Sequence, residues 1–222
     1  SGSINAFPDT IVCAGVPVTL VAPIFAGFSY SWSTGSTNDT IIVNATGTYS
    51  VTITDPNGCS YVTVIDIMVN QPPLALIDGG GHHLCLGEQM NLMVPFNPSW
   101  TYQWISNDSM INGTVVSSVF ISPSTPGLYV YQVFVTDTVT GCGDTSLPYM
   151  VWVTSSPLPP LITPLTPTTI CAGDTVILAG SHPDSSVTLS WNTGGVGDTI
   201  KVLDNGCYSL TAMDTNGCSS SA

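Results

Sequence analysis

Three features of the sequence predict an all-β chain of three tandem sandwiches. A phrase is written three times, its apolar residues alternate with period two, and turn residues close each run. The phrase "GTYSVTITDPNGC" (Gly47–Cys59) recurs as "GLYVYQVFVTDTVTGC" (Gly127–Cys142) and "GCYSLTAMDTNGC" (Gly206–Cys218). Each copy has an upstream cysteine, in "TIVCAGVPVTL", "HLCLGEQMNLM" and "TICAGDTVIL", and a tryptophan between the two, Trp32, Trp104 and Trp191. The first cysteine precedes the tryptophan by 19, 19 and 20 residues, and the tyrosine of G-x-Y follows it by 17, 25 and 17. Four landmarks repeated in fixed order define a repeat architecture.

Within each repeat the elements follow from alternation. In "SYSWS" Tyr30 and Trp32 share one face; in "TYSVTIT" Tyr49, Val51 and Ile53 point in while Ser50, Thr52 and Thr54 point out. "DPNG" (Asp55–Gly58) and "DTNG" (Asp214–Gly217) are hairpin connections, with glycine supplying positive φ. Six or seven strands per unit make an immunoglobulin-like β-sandwich. The units fall at residues 1–70, 82–153 and 168–222, with proline-rich joints at 71–81 and 154–167 acting as semi-rigid spacers. The third unit stops at "NGCSSSA" where the others continue into an apolar strand, so it reads as truncated, with its last strand missing.

Units this small need a covalent staple. The repeat frame supplies one disulfide each: Cys13–Cys59, Cys85–Cys142 and Cys171–Cys218. Structural disulfides place the chain in an oxidising compartment, extracellular or at a cell surface. Cys207 is left over and aims outward. Its open alternatives are a free thiol, an interchain bond, or an exchange with Cys171 or Cys218. Of 222 residues only Lys201 is basic, and the net charge is −13, which excludes a phosphate-tracking groove and nucleic acid as partner. No apolar run is long enough to span a membrane.

The core tryptophan on the third strand and the G-x-Y tyrosine (Trp32 and Tyr49, Trp104 and Tyr129, Trp191 and Tyr208) resemble Ig-like and PKD-like modules. More narrowly, "ICAGDTVIL…LSWNTGG…DTIKV…GCYSLTAMDTNGC" looks like the tandem repeats of Bacteroidota cell-surface proteins, adhesins among them, exported by type IX secretion. The resemblance covers nearly the whole chain. It implies a non-catalytic surface protein and, at six of the nine aspartates followed by Ser or Thr, an O-glycosylation acceptor pattern. The acceptors would be Thr10, Thr40, Ser109, Thr138, Thr175 and Thr199. The same dipeptides also suit turn-to-strand boundaries.

Other chemistry is thin. His82, His83, Cys85 and Glu88 in "GGGHHLCLGE" lack tetrahedral N/S spacing and read as linker, and His182 is a lone loop histidine. The turns at Asp55 and Asp214 read as plain turns, with calcium the alternative; no other cofactor is implied. In the middle unit Phe120, Phe134, Met150 and Trp152 fall on outward positions and read as an assembly surface toward other copies or neighbouring repeats. The sequence therefore predicts an extracellular structural rod, the stalk or filament-forming part of an adhesin or fibre. The alternative is an accessory carbohydrate-binding or spacer module of a secreted enzyme, contacting surface glycans.

Overall fold

The computed structural model describes residues 2–109, 111–171 and 173–222. The chain forms β-sheets arranged as tandem Ig-like sandwiches, and no helix among the described residues is long and apolar enough to cross a membrane. The first sandwich holds β1 (Asn5–Phe7), β2 (Ile11–Cys13), β3 (Val18–Val21), β4 (Ser29–Trp32), β5 (Thr40–Val43), β6 (Gly47–Thr54) and β7 (Ser60–Asn70). One sheet has the order β1-β3-β5, and the other β2-β7-β6-β4. Val18 and Leu20 from the first sheet meet Val51 and Ile53 from the second, all fully buried. Period-two alternation produces this, because every second residue of a strand faces the partner sheet.

The middle sandwich repeats the plan with β8 (His83–Cys85), β9 (Met90–Met93), β10 (Trp100–Ser106), β11 (Ser118–Ile121), β12 (Gly127–Asp137), β13 (Gly143–Thr145) and β14 (Tyr149–Thr154). Its sheets are β9-β11 and β10-β12-β14-β8, with β13 beside β12. The third has β15 (Leu161–Pro164), β16 (Val176–Ser181), β17 (Thr188–Trp191), β18 (Thr199–Val202), β19 (Leu210–Met213) and β20 (Ser219–Ser221), in the orders β15-β16-β18 and β17-β19-β20.

The tryptophan–tyrosine frame is physically the same three times. Each tryptophan is buried, and its Nε1–H donates to a backbone carbonyl: Trp32 to Asn38 at 2.7 Å, Trp104 to Val116 at 2.7 Å, Trp191 to Gly197 at 3.2 Å. Each G-x-Y hydroxyl donates to the carbonyl four residues back: Tyr49 to Ala45, Tyr129 to Thr125, Tyr208 to Asp204, at 2.9, 3.0 and 2.7 Å. This is the tyrosine corner of Ig-like sandwiches, which pins the loop before the strand.

The joints differ from the sequence expectation. Residues 71–81, expected as a semi-rigid spacer, contribute to the middle unit: Ala75 and Ile77 are buried in its core, and Asp78 bridges Met93. The second proline-rich stretch, 154–167, begins with the last residue of β14 and contains β15, whose Pro164 pairs with Leu178. An edge strand tolerates proline because one side of its backbone needs no donor. Of the third unit's last strand, β20 pairs with β19 over Ser219–Ser221, the start of the strand that runs eleven residues in β7. Backbone pairing after the Gly217 turn needs no apolar side chain.

Candidate functional site

The features that set this chain apart lie at the joints, and they are built from strand direction. Cys13 ends β2, which runs parallel to β7, so it stands opposite Asn70; Ala14 N–H donates to the Asn70 carbonyl at 2.8 Å. Cys85 ends β8, parallel to β14, and stands opposite Thr154; Leu86 N–H donates to the Thr154 carbonyl at 2.9 Å. Both cysteines thus sit at the end of the sandwich from which the chain departs. The hairpin cysteines sit at the other end. Cys59 immediately precedes the eleven residues of β7 that run down to Asn70. At about 3.3 Å per residue, Cys59 and Cys13 are on the order of 30 Å apart, far beyond the Cα separation of roughly 4.4–6.8 Å that a disulfide spans.

Each entrance cysteine therefore bonds the hairpin of the next unit. The disulfides are Cys13–Cys142 and Cys85–Cys218, each with Cα atoms 5.5 Å apart. Cys142 Sγ lies 4.0 Å from the Asn70 carbonyl oxygen and Cys218 Sγ lies 3.3 Å from Thr154 Oγ1. Cys142 and Cys218 are buried at these contacts. The expectation of one disulfide within each unit is corrected on this point: the bonds Cys13–Cys59, Cys85–Cys142 and Cys171–Cys218 do not form. Cys59 and Cys171 are exposed free thiols, as is Cys207.

The histidines join the second clamp. His83 Nε2 lies 3.0 Å from Thr154 Oγ1, beside the Cys85–Cys218 bond. His83, Cys85 and Cys218 bring their ligand atoms within 4.8 Å of one another, the metal-like cluster found among the described residues. Two of those atoms are disulfide sulfurs with no thiolate to offer, so the group presents one nitrogen. His82 stacks on Tyr149 at 4.7 Å between ring centroids and bonds the Met150 carbonyl at 2.8 Å through Nδ1. The Tyr149 hydroxyl accepts from Gly81 N–H at 3.1 Å and donates to the Gly81 carbonyl. "GGGHH" is consequently packed against the middle unit, where the sequence suggested linker. Glu88 accepts from Cys85 N–H at 3.1 Å and shapes the turn after it.

The turn carboxylates are taken by backbone donors. Asp55 Oδ1 accepts from Asn57 and Cys59 at 2.9 and 2.8 Å, and Asp214 Oδ1 from Asn216 and Cys218 at 2.8 and 2.9 Å. Both aspartates thus form Asx turns through Oδ1. Asp184, at an exposed turn, is held below the usual carboxylate range by the Ser186 N–H that it accepts at 2.8 Å. His182 bonds the Leu158 carbonyl at 2.9 Å, tying its loop to the preceding joint.

Of the residues expected as glycan acceptors, Ser109, Thr138, Thr175 and Thr199 are exposed, and Thr10 and Thr40 half-buried. Thr138 Oγ1 donates to the Ser99 carbonyl at 2.8 Å. Phe120, Phe134, Met150 and Trp152 are exposed, but they do not make one patch. Phe120 is on β11 in the β9-β11 sheet, whereas the other three belong to β12 and β14 in the opposing sheet. A residue facing outward from one sheet of a sandwich cannot share a surface with outward residues of the other.

No family model and no curated protein sequence matches the chain. Solved structures similar to it include the ICAM-5 D1–D4 ectodomain fragment (12% identity over 99% of this chain and 73% of that one, TM-score 0.39). The N-terminal four Ig domains of Dscam1 isoform 6.44 match at 12% identity, covering 99% of this chain and 71% of theirs, TM-score 0.23. The Bacteroides ovatus mixed-linkage glucan utilization locus protein SGBP-B, solved with a mixed-linkage heptasaccharide, matches at 12% identity, 99% and 66% coverage and TM-score 0.26. At such scores the arrangement of units and any ligand are argued from this chain alone.

Proposed function

We propose that this chain is a non-catalytic segment of an extracellular rod, the stalk or filament-forming part of a bacterial surface adhesin or fibre exported by type IX secretion. The observation that carries the proposal is that each joint between successive sandwiches is crossed twice by covalent bonds, once by the peptide and once by a disulfide. A peptide alone leaves a joint free to bend and twist; a second crossing several ångströms away removes most of that freedom. The units, which we divide near residues 70–75 and 154–161, then act as one spacer. Lys201 is the sole Lys or Arg in the sequence, so trypsin-like proteases find almost nowhere to cut. Glycans on the six acceptor hydroxyls would wet a surface of low charge density, and carbohydrate or neighbouring repeats are the contacts such a stalk would make.

Small-angle scattering tests the rod directly. The oxidised chain is expected to show a maximum dimension of roughly 110 Å, from three units of about eleven strand residues at ~3.3 Å each. Reduction is expected to broaden the distribution while each unit keeps its strand content. Identical curves before and after reduction would remove the disulfides from the explanation of stiffness.

A further inference from the structure

The disulfides obey a rule: the entrance cysteine of one unit bonds the hairpin cysteine of the next. Applied to the two ends, the rule leaves one hairpin cysteine and one entrance cysteine without partners, Cys59 and Cys171, and both are exposed thiols. We propose that Cys59 and Cys171 are complementary half-rungs of the same ladder, Cys171 of one copy bonding Cys59 of the next in a head-to-tail array.

Local geometry supports the assignment independently of the rule. The free hairpin thiol is held as its bonded counterpart is. Asp55 N–H donates to the Cys59 carbonyl at 2.9 Å and Asp214 N–H to the Cys218 carbonyl at 2.9 Å, while the aspartate Oδ1 accepts from Cys59 N–H at 2.8 Å and from Cys218 N–H at 2.9 Å. The free entrance thiol also matches. Asp174 N–H donates to the Cys171 carbonyl at 3.1 Å, and Cys171 N–H donates back to Asp174 at 3.3 Å. At bonded Cys85 the same exchange runs through Glu88, at 3.0 and 3.1 Å. Both thiols are thus presented on turns already shaped for the bond. Cys218 and Cys142 are buried only because a neighbouring unit covers them; Cys59 occupies the same turn with nothing over it. Cys207 lies between the ends, on neither turn, and is not a rung.

The chemistry needs a partner oxidant. Two thiols become one disulfide, releasing two protons and two electrons, and a small-molecule disulfide accepts them and leaves as two thiols. The matching thiol can come from a separate copy or from a further repeat on the same polypeptide; the chemistry is the same, and two experimental arms separate the sources.

The inference rests on the rod reading, and disulfide mapping distinguishes their failures. In one arm the chain is concentrated in a glutathione redox buffer and resolved on non-reducing gels. In the other, two copies are fused through a duplicate of residues 64–73 and treated alike. Expected in the fused chain is a Cys171–Cys59 peptide joining the copies, with Cys13–Cys142 and Cys85–Cys218 intact in each. A ladder of oligomers in the first arm as well assigns the partner to separate copies; its absence there assigns it to a repeat on the same polypeptide. Cys207→Ser is expected to leave the products unchanged, and Cys59→Ser or Cys171→Ser to abolish them. The half-rung assignment is overturned if both thiols stay titratable in the fused chain, or if Cys59–Cys59, Cys171–Cys171 or Cys207 links form as often. Mapping of Cys13 to Cys59 would overturn the rod reading itself.

Discussion

The middle and third units share one frame yet stand on different supports. Among the described residues the middle core gathers 15 buried residues, against five in the third, so packing holds the middle unit more than the third. The middle unit is also clamped at both ends, through Cys142 and Cys85, whereas the third is clamped only at its hairpin, through Cys218. A small core with one clamp depends on that clamp. The expectation is that the third unit draws more of its stability from its neighbour, as units of repeat proteins do.

The sharpest way to break the comparison is to remove the second clamp. With the middle unit folded, the Cys85–Cys218 bond closes a path of 64 residues from Thr154 to Cys218, a closure worth about 4 kcal/mol in the chain-entropy account. Cys85→Ser with Cys218→Ser is expected to lower the third unit by about that amount and the middle unit by less. Hydrogen exchange read by mass spectrometry resolves the units; equal loss of protection in both would contradict the difference in support.

A second test strikes the cores. Leu92 in the middle unit and Leu210 in the third are both fully buried. Leucine-to-alanine truncation costs about 3 kcal/mol at either site. Leu92→Ala should leave the middle unit folded, and Leu210→Ala should leave the third largely open in the same exchange experiment. Survival of the third unit would mean that its small core understates its stability.

The smallest effect sharpens the comparison chemically. Two residues after the G-x-Y tyrosine the first and third units carry Val51 and Leu210, and the middle carries Tyr131. Burial, and then the adjacent Asp108 charge, push the Tyr131 phenol well above its usual range; its hydroxyl lies 3.5 Å from Asp108 Oδ2. A group that the fold keeps protonated contributes fully below the unfolded value, about 10, and loses that contribution as pH rises past it, because the unfolded chain ionises first. Alkaline destabilisation confined to the middle unit is expected above about pH 10, and Tyr131→Phe should remove it. Denaturant midpoints followed from pH 8 to 11 would show it; an unchanged slope in the Phe variant would assign the loss elsewhere.

How much of this could be read from the residues alone depends on what each signal encodes. Trp32, Tyr49 and their counterparts were legible because burial and the corner hydrogen bond are local: a fixed spacing and a period of two suffice. The disulfides were not, because the same set of entrance and hairpin cysteines is open to pairing within a unit or between units. Strand direction decides between them. The signal was present in the short β2 ahead of β3: an entrance strand that runs parallel to the last strand must finish at the end opposite the last hairpin. The joints were misread for a related reason. Proline suggested spacer, yet Pro164 sits on an edge strand where its missing donor costs little, and Ala75 and Ile77 are small or apolar enough to enter the core. The outward side chains of the middle unit were located residue by residue, but their division between two sheets required knowing which strand joined which sheet.

The two clamps also decide where tension travels. A pull on the ends reaches the middle unit through the peptide after Asn70 and through Cys142, and leaves through Cys85 and through the peptide after Thr154. The taut routes are therefore the short stretches Asn70–Cys85 and Cys142–Thr154. Fully extended, the first is about 50 Å long and the second about 40 Å, so the shorter one limits the stretch of the unit to a few ångströms beyond its folded span of about 36 Å. Residues 86–141, which hold Trp104 and most of the core, hang outside the load path as a closed loop. Stretching such a rod loads β8, β13 and β14, which lie in those stretches, before it can draw out Trp104 and the strands around it. The middle unit is in effect a link of nearly fixed length, and most of its core sits beside the load rather than under it.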